Sequence, residues 1–188
     1  MRVISGMYRG RTLRTVRDLS VRPATDRVRQ TVFDMLTNRI VFDGARVLDL
    51  FAGSGSLGIE ALSRGAAHAT FVELAHDAAE FIELNLRTLG CAEAALVLET
   101  DAMEFVRPGN GPFDLVFADP PYAFDRTAGI PEIVFDSGIL RPGGYLLIEH
   151  AGDISFASAP AYRAGPVKRF GRTHVTFFTP TNGRKDAQ

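Results

Sequence analysis

At 188 residues, 46% hydrophobic and 23% charged, the chain is long enough for one domain with a sizeable core, and no apolar run approaches the ~20 residues that span a bilayer. A single cysteine, Cys91, excludes an internal disulfide and any cysteine-based metal cluster; the four histidines (His68, His76, His150, His174) show no ligand spacing, so no metal is expected. Met1-Arg2-Val3-Ile4-Ser5 leads into polar residues rather than a signal-peptide core, so a cytoplasmic protein is expected.

The formal net charge of −1 hides an asymmetry. Residues 1–30 hold eight arginines against Asp18 and Asp26, a balance of +6 that leaves −7 for the remainder. Arginine pairs with phosphate bidentately and stacks on bases, so Arg9, Arg11, Arg22, Arg27 and Arg29 are candidate RNA-binding residues. The plain alternative is a solvated, extended N-terminus. Interleaved Val3, Ile4, Tyr8, Leu13 and Val16 favour a folded ribbon.

In chain order, residues 2–5 and 11–16 read as a short hairpin with Gly6 and Gly10 bracketing its turn. Residues 21–25 form a loop, and Thr25 or Asp26 caps a helix running to about Asn38, with Val28, Val32, Phe33, Leu36 and Ile40 on one face. Strands at 46–51, 70–73, 95–99, 113–118 and 145–149 then alternate with helices at about 56–64, 76–89, after Asp101, and 128–137. Leu140 to Gly144 reads as a turn, and Val167–Phe170 with His174–Thr179 as a hairpin around Gly171-Arg172. The alternation predicts an α/β fold: a doubly wound, mostly parallel seven-stranded sheet with a C-terminal antiparallel hairpin and a small N-terminal β-ribbon. The expected divisions are a basic ribbon and loop at 1–24, a catalytic domain at 25–180, and a polar, frayed tail at 181–188.

The first strand, Val47-Leu48-Asp49-Leu50-Phe51, runs into Gly53-Ser54-Gly55-Ser56-Leu57-Gly58 and a helix. Glycines on such a turn permit a sharp bend and close approach of a ligand to the main chain. With Glu73 some 20 residues on, the spacing also satisfies the dinucleotide fingerprint. Asp49 discriminates. At the end of the strand a carboxylate repels a pyrophosphate but favours the ammonium and sulfonium of S-adenosylmethionine. Its bland role would be to cap the turn.

Ligands of such sheets bind beyond the carboxyl ends of the strands. Asp49, Glu73, Asp101 and Asp119 stand at four such ends, where mutual repulsion is a cost unless a ligand uses them. Glu73 suits the ribose hydroxyls; Asp101 and the backbone of Ala102 suit the adenine edge; Phe51, Leu74 and Met103 offer apolar surface to the nucleoside. Gly53, Gly55 and Asp119 complete the candidate cofactor site. For each acid alone, a surface carboxylate at a strand end is the plain alternative.

Asp119-Pro120-Pro121-Tyr122 is the most specific motif, because two prolines fix the backbone directly after a buried strand. Methylating an exocyclic base amine needs such a clamp, since the nitrogen lone pair is delocalised into the ring. Acceptors on Asp119 and the Pro120 carbonyl would bind the amine hydrogens and hold the nitrogen in line with the methyl group. Tyr122 would stack on the extruded base. A simple proline turn with a packed tyrosine is the alternative. Lys168, Arg169 and Arg172 either extend an RNA surface or line a solvated hairpin.

Residues Val47 to Gly55, Glu73, Asp101 and Asp119–Tyr122 resemble the class I S-adenosylmethionine-dependent methyltransferases that act on amino nitrogens. Arg2-Val-Ile-Ser-Gly6, Gly10-Arg-Thr-Leu13 and Arg22-Pro-Ala-Thr-Asp-Arg-Val-Arg29 are similar to the RsmD family of bacterial small-subunit ribosomal RNA (guanine-N2) methyltransferases, over nearly the whole chain. The resemblance implies S-adenosylmethionine as cofactor and methylation of one guanine N2 in 16S ribosomal RNA of assembled or nearly assembled small subunits, by a protein expected to be a monomer. The Asp-Pro-Pro-Tyr form is shared with adenine-N6 enzymes, so guanine rests on the N-terminal segment. The rivals are a DNA adenine-N6 methyltransferase, an NAD-binding oxidoreductase and a non-catalytic RNA-binding assembly factor.

Overall fold

The computed structural model describes residues 1–15, 23–157 and 159–181. Arg22 and the end of the polar tail therefore lie outside the described residues. The elements are α1 (Pro23–Thr37), β1 (Arg46–Leu50), α2 (Ser56–Ser63), β2 (His68–Glu73), α3 (His76–Leu89), β3 (Ala95–Glu99), α4 (Ala102–Phe105), β4 (Phe113–Ala118), α5 (Ile130–Asp136), β5 (Leu140–Ala151), β6 (Tyr162–Phe170) and β7 (Thr173–Pro180).

The strands form one seven-stranded sheet in the order β3-β2-β1-β4-β5-β7-β6. Strands β1 to β5 pair in parallel, while β7 inserts antiparallel between β5 and β6. The order reverses between β1 and β4, and crevices of such sheets open at that switch point.

Strand alternation gives each face its own core. One is built on Val47, Phe71, Leu115, Phe117, Leu147, Val175 and Phe177, covered by Val28, Val32, Phe33 and Leu36 of α1, Ile59 of α2 and Ile82 of α3. The other is built on Leu48, Leu50, Val72, Val116, Leu146, Ile148 and Phe178, covered by Ala102 of α4 and by Ile130 and Val134 of α5.

Three local readings change. Helix α1 opens at Pro23 rather than after a cap at Thr25 or Asp26; a proline suits the first turn because its missing N–H has no partner there to lose. Asp26 lies inside that first turn, near the positive end of the helix. Residues 140–144 are not a turn before β5 but its beginning. The pairing runs from Phe113 opposite Leu140 to Leu115 opposite Tyr145, and a bulge takes up Arg141–Gly144.

The N-terminal hairpin is reduced to one bridge, Arg2 opposite Thr12, and it is docked on the main body. Glu60 of α2, 1% exposed, accepts the backbone N–H groups of Ile4 (2.7 Å) and Ser5 (3.0 Å). The backbone of Arg14 exchanges two bonds with the buried Asn85 amide of α3, at 2.8 and 2.9 Å. Val3 and Leu13 join the core under α1.

Candidate active site

Beyond β1 the chain turns sharply at Phe51, whose φ of 56° is strained for a residue with a side chain. Gly53 follows with φ 55°, and a Cβ there would meet nothing nearer than the Phe51 carbonyl oxygen at 4.0 Å, so its open side is free for a ligand. Gly58 has another cause. A Cβ there would lie 2.3 Å from the Phe71 ring, so its role is close packing of α2 on β2.

Backbone bonds gather the strand ends around this turn. Ala52 N–H donates to the Val72 carbonyl (3.1 Å), Thr100 N–H to Glu73 (3.1 Å) and Asp119 N–H to Leu50 (3.4 Å). The ends of β1 to β4, each with its acid, are thus held side by side at one edge of the sheet.

Their environments differ. Asp49 is 1% exposed and accepts the Gly58 N–H at 2.8 Å. Burial, and then the charges of Asp119 and Glu73, push its carboxyl up to about 8 despite that bond. Asp119 is open to solvent as a residue, yet its carboxyl sits among close neighbours, and that burial raises it to about 6. Glu73 accepts Gly53 N–H at 2.7 Å and Ala75 N–H at 2.9 Å, one on each oxygen, which leaves lone pairs on both. Asp101 caps α4 through one oxygen, bonded to Met103 N–H (2.7 Å) and Glu104 N–H (3.0 Å). Beside these acids Ala102 is buried, and Leu74 is 67% exposed at the crevice mouth.

These residues fit a cationic nucleoside cofactor. A carboxyl that burial keeps protonated in the free protein, an open glycine turn, and acceptors after β2 and β3 match a sulfonium, a ribose and an adenine amine. They do not fit a pyrophosphate.

After β4, Pro120 is buried while Tyr122 is 71% exposed, its hydroxyl 2.8 Å from Thr173 Oγ1 at the start of β7. The loop is braced by Phe124 N–H on the Pro121 carbonyl (2.8 Å) and by Phe124 edge-on to Phe51, ring centroids 5.1 Å apart. The exposed tyrosine ring is thus tethered by its hydroxyl.

The candidate RNA-binding arginines divide. Arg9, Arg11 and Arg27 are exposed, with Arg11 also donating to the Thr88 carbonyl at the end of α3 (3.0 Å). Arg29 corrects the sequence reading. It is 4% exposed, and its guanidinium binds Asp26 (3.0 Å) and the Arg2 carbonyl, tying α1 to the ribbon instead of facing a phosphate. Glu149, two residues before the end of β5 and near enough to feel the Asp119 charge, is an acid that the sequence did not single out.

The strand order, the glycine turn after β1 and the Asp-Pro-Pro-Tyr loop after β4 define a class I methyltransferase. Comparison with known proteins narrows this. The family model described as conserved hypothetical protein 95 matches residues 1–179. Ribosomal RNA small subunit methyltransferase D of Haemophilus influenzae is 39% identical over 156 residues, covering 81% of this chain and 80% of that protein. Its Escherichia coli counterpart is 37% identical over 161 residues, covering 86% and 80%. The solved structure of Escherichia coli yhhF superposes with a TM-score of 0.84 at 33% identity, covering 96% of this chain and 97% of that one. The chain belongs to the RsmD family of ribosomal RNA methyltransferases.

Among the described residues, no helix is long and apolar enough to cross a membrane, and no group of three or more histidine, cysteine, aspartate or glutamate side chains is placed to hold a metal ion.

Proposed function

We propose that the protein methylates the exocyclic N2 amine of one guanine in 16S ribosomal RNA, in assembled or nearly assembled small subunits, as a cytoplasmic monomer using S-adenosylmethionine. The observation that carries this reading is the Asp119–Tyr122 loop braced at the mouth of a crevice whose buried acid, Asp49, calls for a cation.

Asp49, Glu73 and Asp101 would hold the cofactor, with Phe51, Gly53, Gly55, Leu74 and Ala102 shaping its nucleoside pocket. When bound, S-adenosylmethionine supplies an electrophilic methyl carbon on a sulfonium that leaves as a neutral thioether. The Asp119 carboxylate and the Pro120 carbonyl accept the two amine hydrogens, drawing the nitrogen out of conjugation and aiming its lone pair at that carbon. As the nitrogen–carbon bond forms, the amine sheds one proton to Asp119 or to water. Tyr122 stacks on the extruded base. Residues 1–24, of which 1–15 are docked through Glu60 and Asn85, serve as the RNA-facing element of a catalytic domain that spans residues 25–180.

Labelled cofactor incubated with small subunits from cells lacking the enzyme tests this directly. Label is expected in N2-methylguanosine, and Asp119→Ala is expected to lower transfer by about 10³-fold while cofactor binding survives. Label in N6-methyladenosine, or in DNA alone, overturns the guanine assignment; full turnover by Asp119→Ala overturns the clamp.

A further inference from the structure

Glu149 is the acid of the cleft that the mechanism above leaves unused. Because Ala118 pairs with Ile148, Asp119 and Glu149 follow as neighbours on adjacent parallel strands, about 4.8 Å apart, on the sheet face that also carries Asp49. The preceding Leu147 belongs to the core under α1, whereas His150 turns to the other face, 2.8 Å from Thr176 Oγ1.

The walls around Glu149 are apolar. Val28 and Val32 of α1, Leu57 of α2 and Val175 of β7 line, with Glu149, a cavity of about 20 Å³ that opens to the surface. Among the described residues no side chain forms an ion pair with Glu149 or donates a hydrogen bond to it. Burial, and then the Asp119 charge, push its carboxyl well above the usual range. A half-buried acid with apolar walls and an anionic neighbour is costly to the fold. A ligand that brings an N–H donor relieves that cost.

The Asp-Pro-Pro-Tyr clamp handles an amine and does not by itself tell guanine N2 from adenine N6. The atom beside the amine does. In guanine the neighbouring N1 carries a hydrogen and donates; in adenine N1 is a lone-pair acceptor. Ionised, a carboxyl next to the clamp accepts from the first and repels the second; protonated, it would donate to the second, so the discrimination belongs to pH above about 8, where Glu149 is ionised.

We propose that Glu149 selects guanine, its carboxylate accepting the N1–H of the target base while Asp119 and Pro120 hold the adjacent N2 amine. The inference rests on the reading of the site as a guanine-N2 methyltransferase and adds its base-specificity residue. A site built around a hydrogen-bonding group of its substrate rejects the analogue lacking it far more strongly than one that only senses size.

The test, run at about pH 9 so that Glu149 is ionised, replaces the mapped target guanine with 2-aminopurine in ligated 16S RNA assembled into small subunits. This analogue keeps the N2 amine but has a lone pair at N1. The wild-type protein is expected to prefer guanine by about 10²-fold or more in kcat/KM. With Glu149→Gln the side-chain amide can donate to N1 of the analogue, so the preference is expected to fall at least about tenfold, with cofactor affinity unchanged by calorimetry. A merely structural Glu149 would lower both rates and leave their ratio alone; an unchanged ratio overturns the proposal. Equal wild-type rates on the two bases overturn it without any variant. A wild-type protein that leaves the guanine itself unmethylated overturns the functional reading first, and this proposal with it.

Discussion

Asp49 shows how a single side chain couples stability to function. In the unfolded chain an aspartate loses its proton near pH 3.9, whereas in the folded protein Asp49 keeps it until about 8. Between those values the folded state binds more protons, so this residue makes stability fall as pH rises through the window from about 4 to about 8. The free protein is therefore expected to show a lower urea midpoint at pH 8 than at pH 5, and Asp49→Asn to shrink that difference. Cofactor affinity is expected to move the opposite way, rising over the same window as the carboxyl ionises to meet a cation, and to drop in Asp49→Asn. Urea titrations and calorimetry at the two pH values check both. A midpoint difference unaltered by the substitution would assign the pH response to another group. Asp49 was legible because an acid at the end of a glycine-loop strand is chemically odd for a phosphate ligand. Glu149 was not, because an acid at the end of the fifth strand is ordinary until its neighbours Val28, Val32 and Asp119 are known.

At the scale of elements, helix α2 carries two jobs on opposite sides. Gly58 lets it press against Phe71 under the cofactor turn, and Glu60 grips the N-terminal ribbon. Glu60 also receives the Arg64 guanidinium at 2.8 Å, and both side chains are largely buried. Removing the carboxylate leaves two backbone N–H groups and a guanidinium short of a partner. Glu60→Ala is accordingly expected to cost about 3 kcal/mol in urea unfolding and to expose residues 1–15 to protease before the remaining chain. Simultaneous cleavage throughout the chain would show that the ribbon is not held separately at this point. Periodicity located α2, but its short glutamate-bearing face gave no sign that the partner lay 56 residues upstream. Such a contact is made by tertiary approach and has no local signature.

Over the whole molecule, charge is segregated. Among the described residues, Arg2, Arg9, Arg11 and Arg14 belong to the ribbon and Arg29 binds it, while Asp49, Glu73, Asp101 and Asp119 stand at the ends of β1 to β4. The structure splits those arginines into two kinds, and their substitutions separate accordingly. Arg27→Ala, at an exposed position, is expected to weaken RNA binding and reduce the salt slope by about 0.7 to 0.9 if it meets one phosphate, with the melting temperature unchanged. Arg29→Ala, which removes a buried guanidinium bound to Asp26 and Arg2, is expected to lower the melting temperature by several degrees. Filter binding across salt concentrations and thermal melts distinguish them. A lowered salt slope for Arg29→Ala with an unchanged melt would reverse their roles.

The sequence alone determined the alternation of strands and helices, the glycine turn after β1, and the acids and proline loop at the strand ends. Those signals are local: hydrophobic period, backbone permission and residue chemistry at fixed spacing. It left open which arginines face solvent, what anchors the ribbon, and which acid stands beside the clamp. Those were decided by packing between segments remote in the chain: α1 against the sheet buries Arg29, α2 against the ribbon buries Glu60, and β5 beside β4 places Glu149 next to Asp119. Burial and neighbouring charge are properties of the assembled fold, and they decide which of several similar side chains stays at the surface, which is tied into the core and which stands beside Asp119.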